Sequence, residues 1–153
     1  MTQENLPPNV LELEITENII LQQDETMLAT LRELNQLGVG VALDDYGTGY
    51  ASLTHLKRYP LTRLKIDQSF VRSAATNRED KAIVRAIAYL GKTFGLETTA
   101  EGVETPELHA MVCNKGCNEA QGYLYGKPMP AEAFGRQFIT RGMVAAQRER
   151  AAI

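Results

Sequence analysis

No apolar run in this 153-residue chain approaches the length needed to cross a bilayer. The N-terminus, Met1-Thr2-Gln3-Glu4-Asn5-Leu6-Pro7-Pro8, has neither the basic start nor the apolar body of a signal peptide. These two absences predict a cytoplasmic protein with no membrane segment. An excess of basic charge is also missing: the net charge is −3 and charged residues make up 23%. No DNA partner is therefore expected, although local Lys/Arg groups can still meet phosphate. Cysteine is scarce. Cys113 and Cys117 stand in Cys113-Asn114-Lys115-Gly116-Cys117 with no second Cys/His pair to complete a zinc site, so they read as reduced, structural thiols. Internal repeats and low-complexity segments are absent.

What is present is core material and a regular alternation. At 44% hydrophobic, a chain of this length can bury a real core and is expected to form one domain. Strand-like runs alternate with helix-like ones, as in βα units around a parallel sheet. The strands are expected at Val10–Ile15, Val39–Leu43, Arg63–Ile66, Leu96–Ala100 and Glu119–Gln121. Between them, Asp24 reads as the cap of a helix whose stripe is Met27, Leu28, Leu31, Leu34 and Leu37, with Gly38 as its stop. Ser52–Arg58 reads as a short helix ended by Pro60. The longest helix is expected at about Glu79–Phe94, buried through Ile83, Val84, Ile87, Leu90 and Phe94. Thr105-Pro106-Glu107 opens the next helix with a capping hydroxyl, a first-turn proline and an acid at the positive dipole end. A last helix is expected from about Ala131 to Gln147.

Period-2 geometry then sorts the strand residues by face. Gly40, Ala42 and Asp44 share one face, and Val39, Val41 and Leu43 the other. Leu11, Leu13 and Ile15 should pack under helices, leaving Glu12 and Glu14 on the inner face. Lys65 opposes Leu64 and Ile66, while Glu101 and Gln121 hold equivalent final positions. The result is a ring of Glu14, Asp44, Lys65, Glu101 and Gln121, with Asp45 in the loop Tyr46-Gly47-Thr48-Gly49-Tyr50 beside it. The carboxyl ends of parallel strands are where α/β barrels place their chemistry. Adjacent carboxylates repel unless a cation holds them, and an all-oxygen set favours Mg²⁺ or Mn²⁺ over zinc or copper. Hard metals with a lysine nearby suit phosphoryl oxygens, which points to phosphodiester cleavage.

Each residue also has a plainer reading. Glu14 and Lys65 could be an interior salt bridge, and Asp45 with Gly47, Thr48 and Gly49 only a turn. Glu104 and Thr105 could serve as capping groups, and Glu17 could simply anchor a loop. His55 and His109 lack a partner motif and read as surface or packing residues. A Schiff-base role for Lys65 is disfavoured, because nearby carboxylates stabilise the ammonium. The conjunction of five strand ends carries the functional reading.

Five motifs match in order: Leu11-Glu12-Leu13-Glu14-Ile15-Thr16-Glu17, Asp44-Asp45-Tyr46-Gly47-Thr48-Gly49-Tyr50, Leu64-Lys65-Ile66-Asp67-Gln68-Ser69-Phe70-Val71, Ala100-Glu101-Gly102-Val103-Glu104-Thr105, and Gln121-Gly122-Tyr123 followed by Pro128-Met129-Pro130. Through them the chain resembles the C-terminal part of an EAL domain, the bacterial cyclic di-GMP phosphodiesterase. The resemblance implies a TIM-barrel-like α/β fold, here an incomplete barrel with about five parallel strands, and hydrolysis of cyclic di-GMP to linear pGpG with Mg²⁺ or Mn²⁺. It makes Glu14 and Asp44 metal ligands, Asp45 a ligand of a second metal, Lys65 the partner of the nucleophilic water and phosphate, and Glu101 the general base. Gln121 becomes an active-site contact, Glu17 the anchor of the loop at 45–50, and Glu104 a support behind the site. Small departures from the family pattern occur at Tyr46, Ala51 and Leu108.

The segment divides on this reading into a lead-in at 1–9, a partial EAL domain at 10–140 and a helical tail at 141–153. The Glu-Ala-Leu strand that names the family, and a later strand carrying an asparagine ligand, have no counterpart. A whole barrel takes ~250 residues. Two metal ligands are thus expected to be missing, the lone chain is expected to be inactive, and its open barrel edges or exchanged elements are expected to make it a homo-oligomer. The alternative is a non-catalytic module that binds cyclic di-GMP or a protein partner.

Overall fold

Five short strands pair in the order they occur in the chain, all in parallel, so every connection must cross the sheet and carry a helix. In the computed structural model of the protein, residues 6–22, 24–49 and 52–139 are described. The strands are β1 (Glu12–Thr16), β2 (Gly40–Tyr46), β3 (Arg63–Ile66), β4 (Glu97–Ala100) and β5 (Glu119–Ala120). Between them lie α1 (Glu17–Leu21), α2 (Glu25–Gln36), α3 (Leu53–Arg58), α4 (Gln68–Ser73), α5 (Arg78–Phe94) and α6 (Pro106–Asn114). After β5 comes α7 (Ala131–Phe134), which widens into a π-turn over Gly135–Ile139. No helix among the described residues is long and apolar enough to cross a membrane.

Local chemistry explains the helix starts. Asp24 accepts hydrogen bonds from the Thr26 and Met27 amides, Asn77 from those of Glu79 and Asp80, and Thr105 from that of Leu108. His55 and Ser52 form a reciprocal capping pair at α3, which gives that histidine a structural task. Gly95 ends α5 at φ 69°, a left-handed conformation that glycine adopts without penalty.

The core lies between the sheet and its helices. Val41, Leu43, Leu64 and Ile66 are fully buried and pack with Leu28, Leu31, Leu56, Val84, Ile87, Leu108 and Val112 in one cluster. Side chains of opposite parity point to the other face, which is how Lys65 comes to lie between two core aliphatics.

Several expectations need correction. β1 begins at Glu12, because Pro8–Val10 form a 3₁₀ turn. Leu11 and Leu13 are exposed, at 55% and 41%; only Ile15 of that face is buried, since β1 is an edge strand and its start has no helix over it among the described residues. Leu37 is 67% exposed and lies past the end of α2 rather than on its buried stripe. Two short helices, α1 and α4, stand in stretches to which no element was assigned. The last helix, expected to run to Gln147, is α-helical to Phe134 and π-helical to Ile139, and residues 140–153 lie outside the described residues.

Gly122 marks the tightest point behind β5. A Cβ there would fall 2.2 Å from the Val103 carbonyl oxygen and 2.4 Å from its nitrogen, backbone atoms that cannot step aside. Gly122→Ala is expected to cost about 1–3 kcal/mol, read as a lowered urea midpoint; an unchanged midpoint would contradict the contact.

Candidate active site

Lys65 sits at the centre of the inner face. Its ammonium lies 2.7 Å from Glu14 Oε1, 2.9 Å from Asp44 Oδ1 and 2.8 Å from Glu101 Oε1, with only 6% of the side chain exposed. The three acids come from β1, β2 and the residue after β4, so one cation on β3 gathers four consecutive strands. Burial works to lower the Lys65 pKa, but the hydrogen bonds it donates to Glu101, Glu14 and Asp44 outweigh it and hold the lysine above its ordinary value.

Asp45 reaches the same site through a distortion. On a regular strand it would point away from Asp44, and it was expected in a loop. The structure keeps it within β2, at a register shift between Leu43 and Tyr46, with Asp45 at φ 55°. Such a bulge resets the alternation, so two adjacent carboxylates face one side and Tyr46 returns to the core. Aspartate tolerates the left-handed region better than most residues. Asp44, Asp45 and Glu101 each place an oxygen within 4.8 Å of the others.

The acids are held at an electrostatic cost. Burial, then Asp44 and Asp67, push the Asp45 carboxyl above the usual range, against the pull of Lys65. Glu101 is raised by burial first, partly offset by its hydrogen bond from Lys65. Asp44 Oδ1 is buried and has the Lys65 ammonium at 2.9 Å as its partner. The all-oxygen set of Asp44, Asp45 and Glu101 fits a hard divalent cation.

The loop after β2 is tied down by Glu17. Its carboxylate accepts the Gly47 amide at 2.8 Å, and a Cβ on Gly49 would collide with its Oε2 at 2.2 Å. Gly47 has φ 105°, and Thr48 donates its hydroxyl to the Asp45 carbonyl at 2.9 Å. Glu17 is 5% exposed and pushes the phenol of the neighbouring Tyr46 up, after burial, which acts first.

The remaining expected residues lie nearby but apart. Gln121 follows β5 and lines a cavity of about 990 Å³ with Thr99, Tyr123, Lys127, Met129 and Phe138. Glu104 pairs with Arg72 at 2.6 Å, joining the loop after β4 to α4. Sequence reasoning missed Asp67, which caps α4 through the Ser69 amide at 2.9 Å and shares a hydrogen bond with Asp45. Its signal was its place directly after a strand, the same position as Glu101. His109 bonds the Tyr125 hydroxyl at 2.6 Å, and both cysteines are free, with burial pushing Cys117 up to about 11.

The signs of the shifts set a pH dependence. A lysine raised by folding gives stability that is complete below its unfolded value, near 10.4, and lost only above it. Carboxyls raised by folding stabilise below their ordinary values and lose that contribution as the pH rises through the folded ones. Lys65→Met leaves Glu14, Asp44 and Glu101 facing one another without a cation. It is expected to lose about 3–5 kcal/mol near neutral pH, and less near pH 4.5 where the acids can protonate. Urea midpoints at the two pH values test this; an equal loss at both would contradict it.

Comparison with known proteins agrees with this geometry. The EAL domain family model matches residues 1–128. Over 128 residues the chain is 46% identical to the bifunctional diguanylate cyclase/cyclic di-GMP phosphodiesterase MucR of Pseudomonas aeruginosa and 41% identical to the cyclic di-GMP phosphodiesterase PdeR of Escherichia coli. In each case the match covers 84% of the chain and 19% of the relative, so the chain spans about a fifth of their length. Among solved structures, the MucR phosphodiesterase in complex with c-di-GMP superposes with a TM-score of 0.81 at 45% identity, covering 86% of this chain and 53% of that one. The EAL domain of Mycobacterium smegmatis DcpA gives 0.82 at 43% identity, with 89% and 61% covered. The manganese/cyclic di-GMP complex of Klebsiella pneumoniae BlrP1 gives 0.74 at 30% identity, with 81% and 32% covered. With its parallel strands, its interleaved helices and its inner carboxylates, the chain belongs to the EAL domain family.

Proposed function

We propose that this chain supplies the C-terminal half-site of a cyclic di-GMP phosphodiesterase, which hydrolyses the cyclic dinucleotide to linear pGpG in the cytoplasm. The observation that carries this is the convergence of Glu14, Asp44 and Glu101 on Lys65, with Asp45 turned inward beside them. Glu14, Asp44 and Asp45 would hold Mg²⁺ or Mn²⁺; Asp44 and Asp45 share an oxygen cluster with Glu101, and Glu14 is joined to it through Lys65. Bound there, the ion would polarise the phosphodiester and acidify a water.

The chain's own groups do the rest. Lys65 stays protonated at any physiological pH and offsets charge that develops on the phosphorus oxygens. Glu101, its carboxyl raised above its ordinary value by burial, is the general base that takes the water proton. Glu17 fixes the loop of Gly47, Thr48 and Gly49, and so the backbone that turns Asp45 inward. Glu104 steadies the loop after Glu101 through Arg72, and Gln121 meets the nucleotide from the cavity beside β5.

Because five strands do not close a barrel, the lone chain is expected to bind nucleotide without turning it over. That behaviour would also suit a non-catalytic binding module, and the two readings separate when the chain is placed in a complete barrel. The exposed Leu13 on the edge strand β1, with Leu11 just before it, supports self-association through open edges, expected as a mass that rises with concentration in light scattering.

Calorimetric titration of the chain with Mn²⁺ and cyclic di-GMP tests the site. Mn²⁺ at about 100 times its Kd should stabilise the fold by about 2.7 kcal/mol, and Asp44→Asn should abolish that gain. In a complete barrel, Glu101→Gln should lower kcat by about 10²–10⁴-fold. A chain that binds neither Mn²⁺ nor nucleotide would overturn the assignment.

A further inference from the structure

A second charged layer lies one step below the Lys65 cluster. Arg63, on β3, donates from Nε to Glu12 Oε2 at 2.8 Å and from Nη1 to Thr99 Oγ1 at 2.8 Å; Nη1 also lies 2.6 Å from Glu119 Oε2. Glu12 belongs to β1 and Glu119 to β5, the two outermost strands of the sheet, and Arg63 to its middle strand. Strands lie about 4.8 Å apart, so in a flat sheet carboxylates two strands to either side of an arginine would be roughly 10 Å away laterally. Both can meet one guanidinium only if the sheet curls inward.

A separate observation shows room made for this. Gly40, the register partner of Glu12 on β2, is where a Cβ would press at 3.4 Å on Glu12 Cγ and Oε2, and at 3.3 Å on Thr62 Oγ1. Its φ is not positive, so clearance rather than backbone freedom explains the glycine. The missing side chain lets Glu12 lean across β2 toward Arg63.

Each member of this layer stands two residues before a residue of the proposed site, on the same face. Glu12 precedes Glu14, Arg63 precedes Lys65, Thr99 precedes Glu101 and Glu119 precedes Gln121. We propose that Arg63 is a positioning residue: by tying Glu12 to Glu119 it sets the curl of the sheet, and with it the separation of Glu14 from Gln121 across the site. Asp44, Asp45 and Glu101 depend less on it, because β2 and β4 both lie directly beside β3, where a change in curl displaces them least.

The consequence for ligand binding rests on the cyclic di-GMP reading; the geometric part does not. The test labels Leu11→Cys and Asn114→Cys with nitroxides in a Cys113→Ser, Cys117→Ala background and reads their separation by double electron–electron resonance. Arg63→Met is expected to broaden the distribution and move it outward by about one strand spacing, ~5 Å. Glu119→Gln, which loosens one anchor at a half-exposed position and leaves Arg63 paired to Glu12, is expected to do the same to a smaller extent and covers the case in which Arg63→Met does not fold. Folded variants with the parent distribution would overturn the proposal. In the same variants cyclic di-GMP affinity should fall by roughly tenfold or more, and Mn²⁺ affinity by less, because Glu14 shifts while Asp44 and Asp45 stay in place; a Mn²⁺ loss as large as the nucleotide loss would also overturn it. If the unsubstituted chain binds no cyclic di-GMP, the nucleotide reading fails and the label distances still decide the role of Arg63.

Discussion

The ammonium of Lys65 is the constraint on which the inner face depends. Three carboxylates gathered around one point would repel one another at so short a range. With one cation between them they converge, and the strands that carry them are drawn to one centre. The same contact fixes the chemistry, since a lysine held this firmly in its charged form can neutralise phosphate but cannot act as a nucleophile.

The second constraint is a backbone one. Two neighbouring residues on a strand cannot serve one metal cluster while the alternation is regular, and the bulge at Asp45 removes that obstacle at the cost of a left-handed aspartate. Strain of this kind persists where its surroundings over-determine it. Here two hydrogen bonds do so: Thr48 donates to the Asp45 carbonyl, and Glu17 accepts the Gly47 amide from a different strand connection.

Much of this was legible from residues alone, for reasons that differ by element. β3 and α5 were placed almost to the residue because their periods are clean, and α5 also has an Asn cap and a left-handed Gly at its ends. Glu14, Lys65 and Glu101 fell on the inner face by parity alone. Parity failed at Asp45, because a bulge leaves no periodic trace in sequence. It failed again at Leu11 and Leu13, where the alternation is correct but a covering helix is lacking among the described residues. Arg63 went unremarked because its partners lie two strands away on either side, a relation set by sheet curl rather than by spacing.

An interior built of charged layers needs a reason, since barrel cores are commonly filled by branched aliphatics and ion pairs lose much of their attraction to desolvation. Register supplies one. In a strand of four or five residues, aliphatic side chains can slip by one position and still find apolar neighbours, whereas a one-residue slip of β3 would bury Lys65 and Arg63 among Leu43, Val84 and Ile87 and expose Leu64 and Ile66. The cost of that misplacement far exceeds the cost of the paired charges. The two cations on one short strand therefore make its alignment with β2 and β4 nearly unique, and a site assembled from strand ends requires that uniqueness before any ligand arrives.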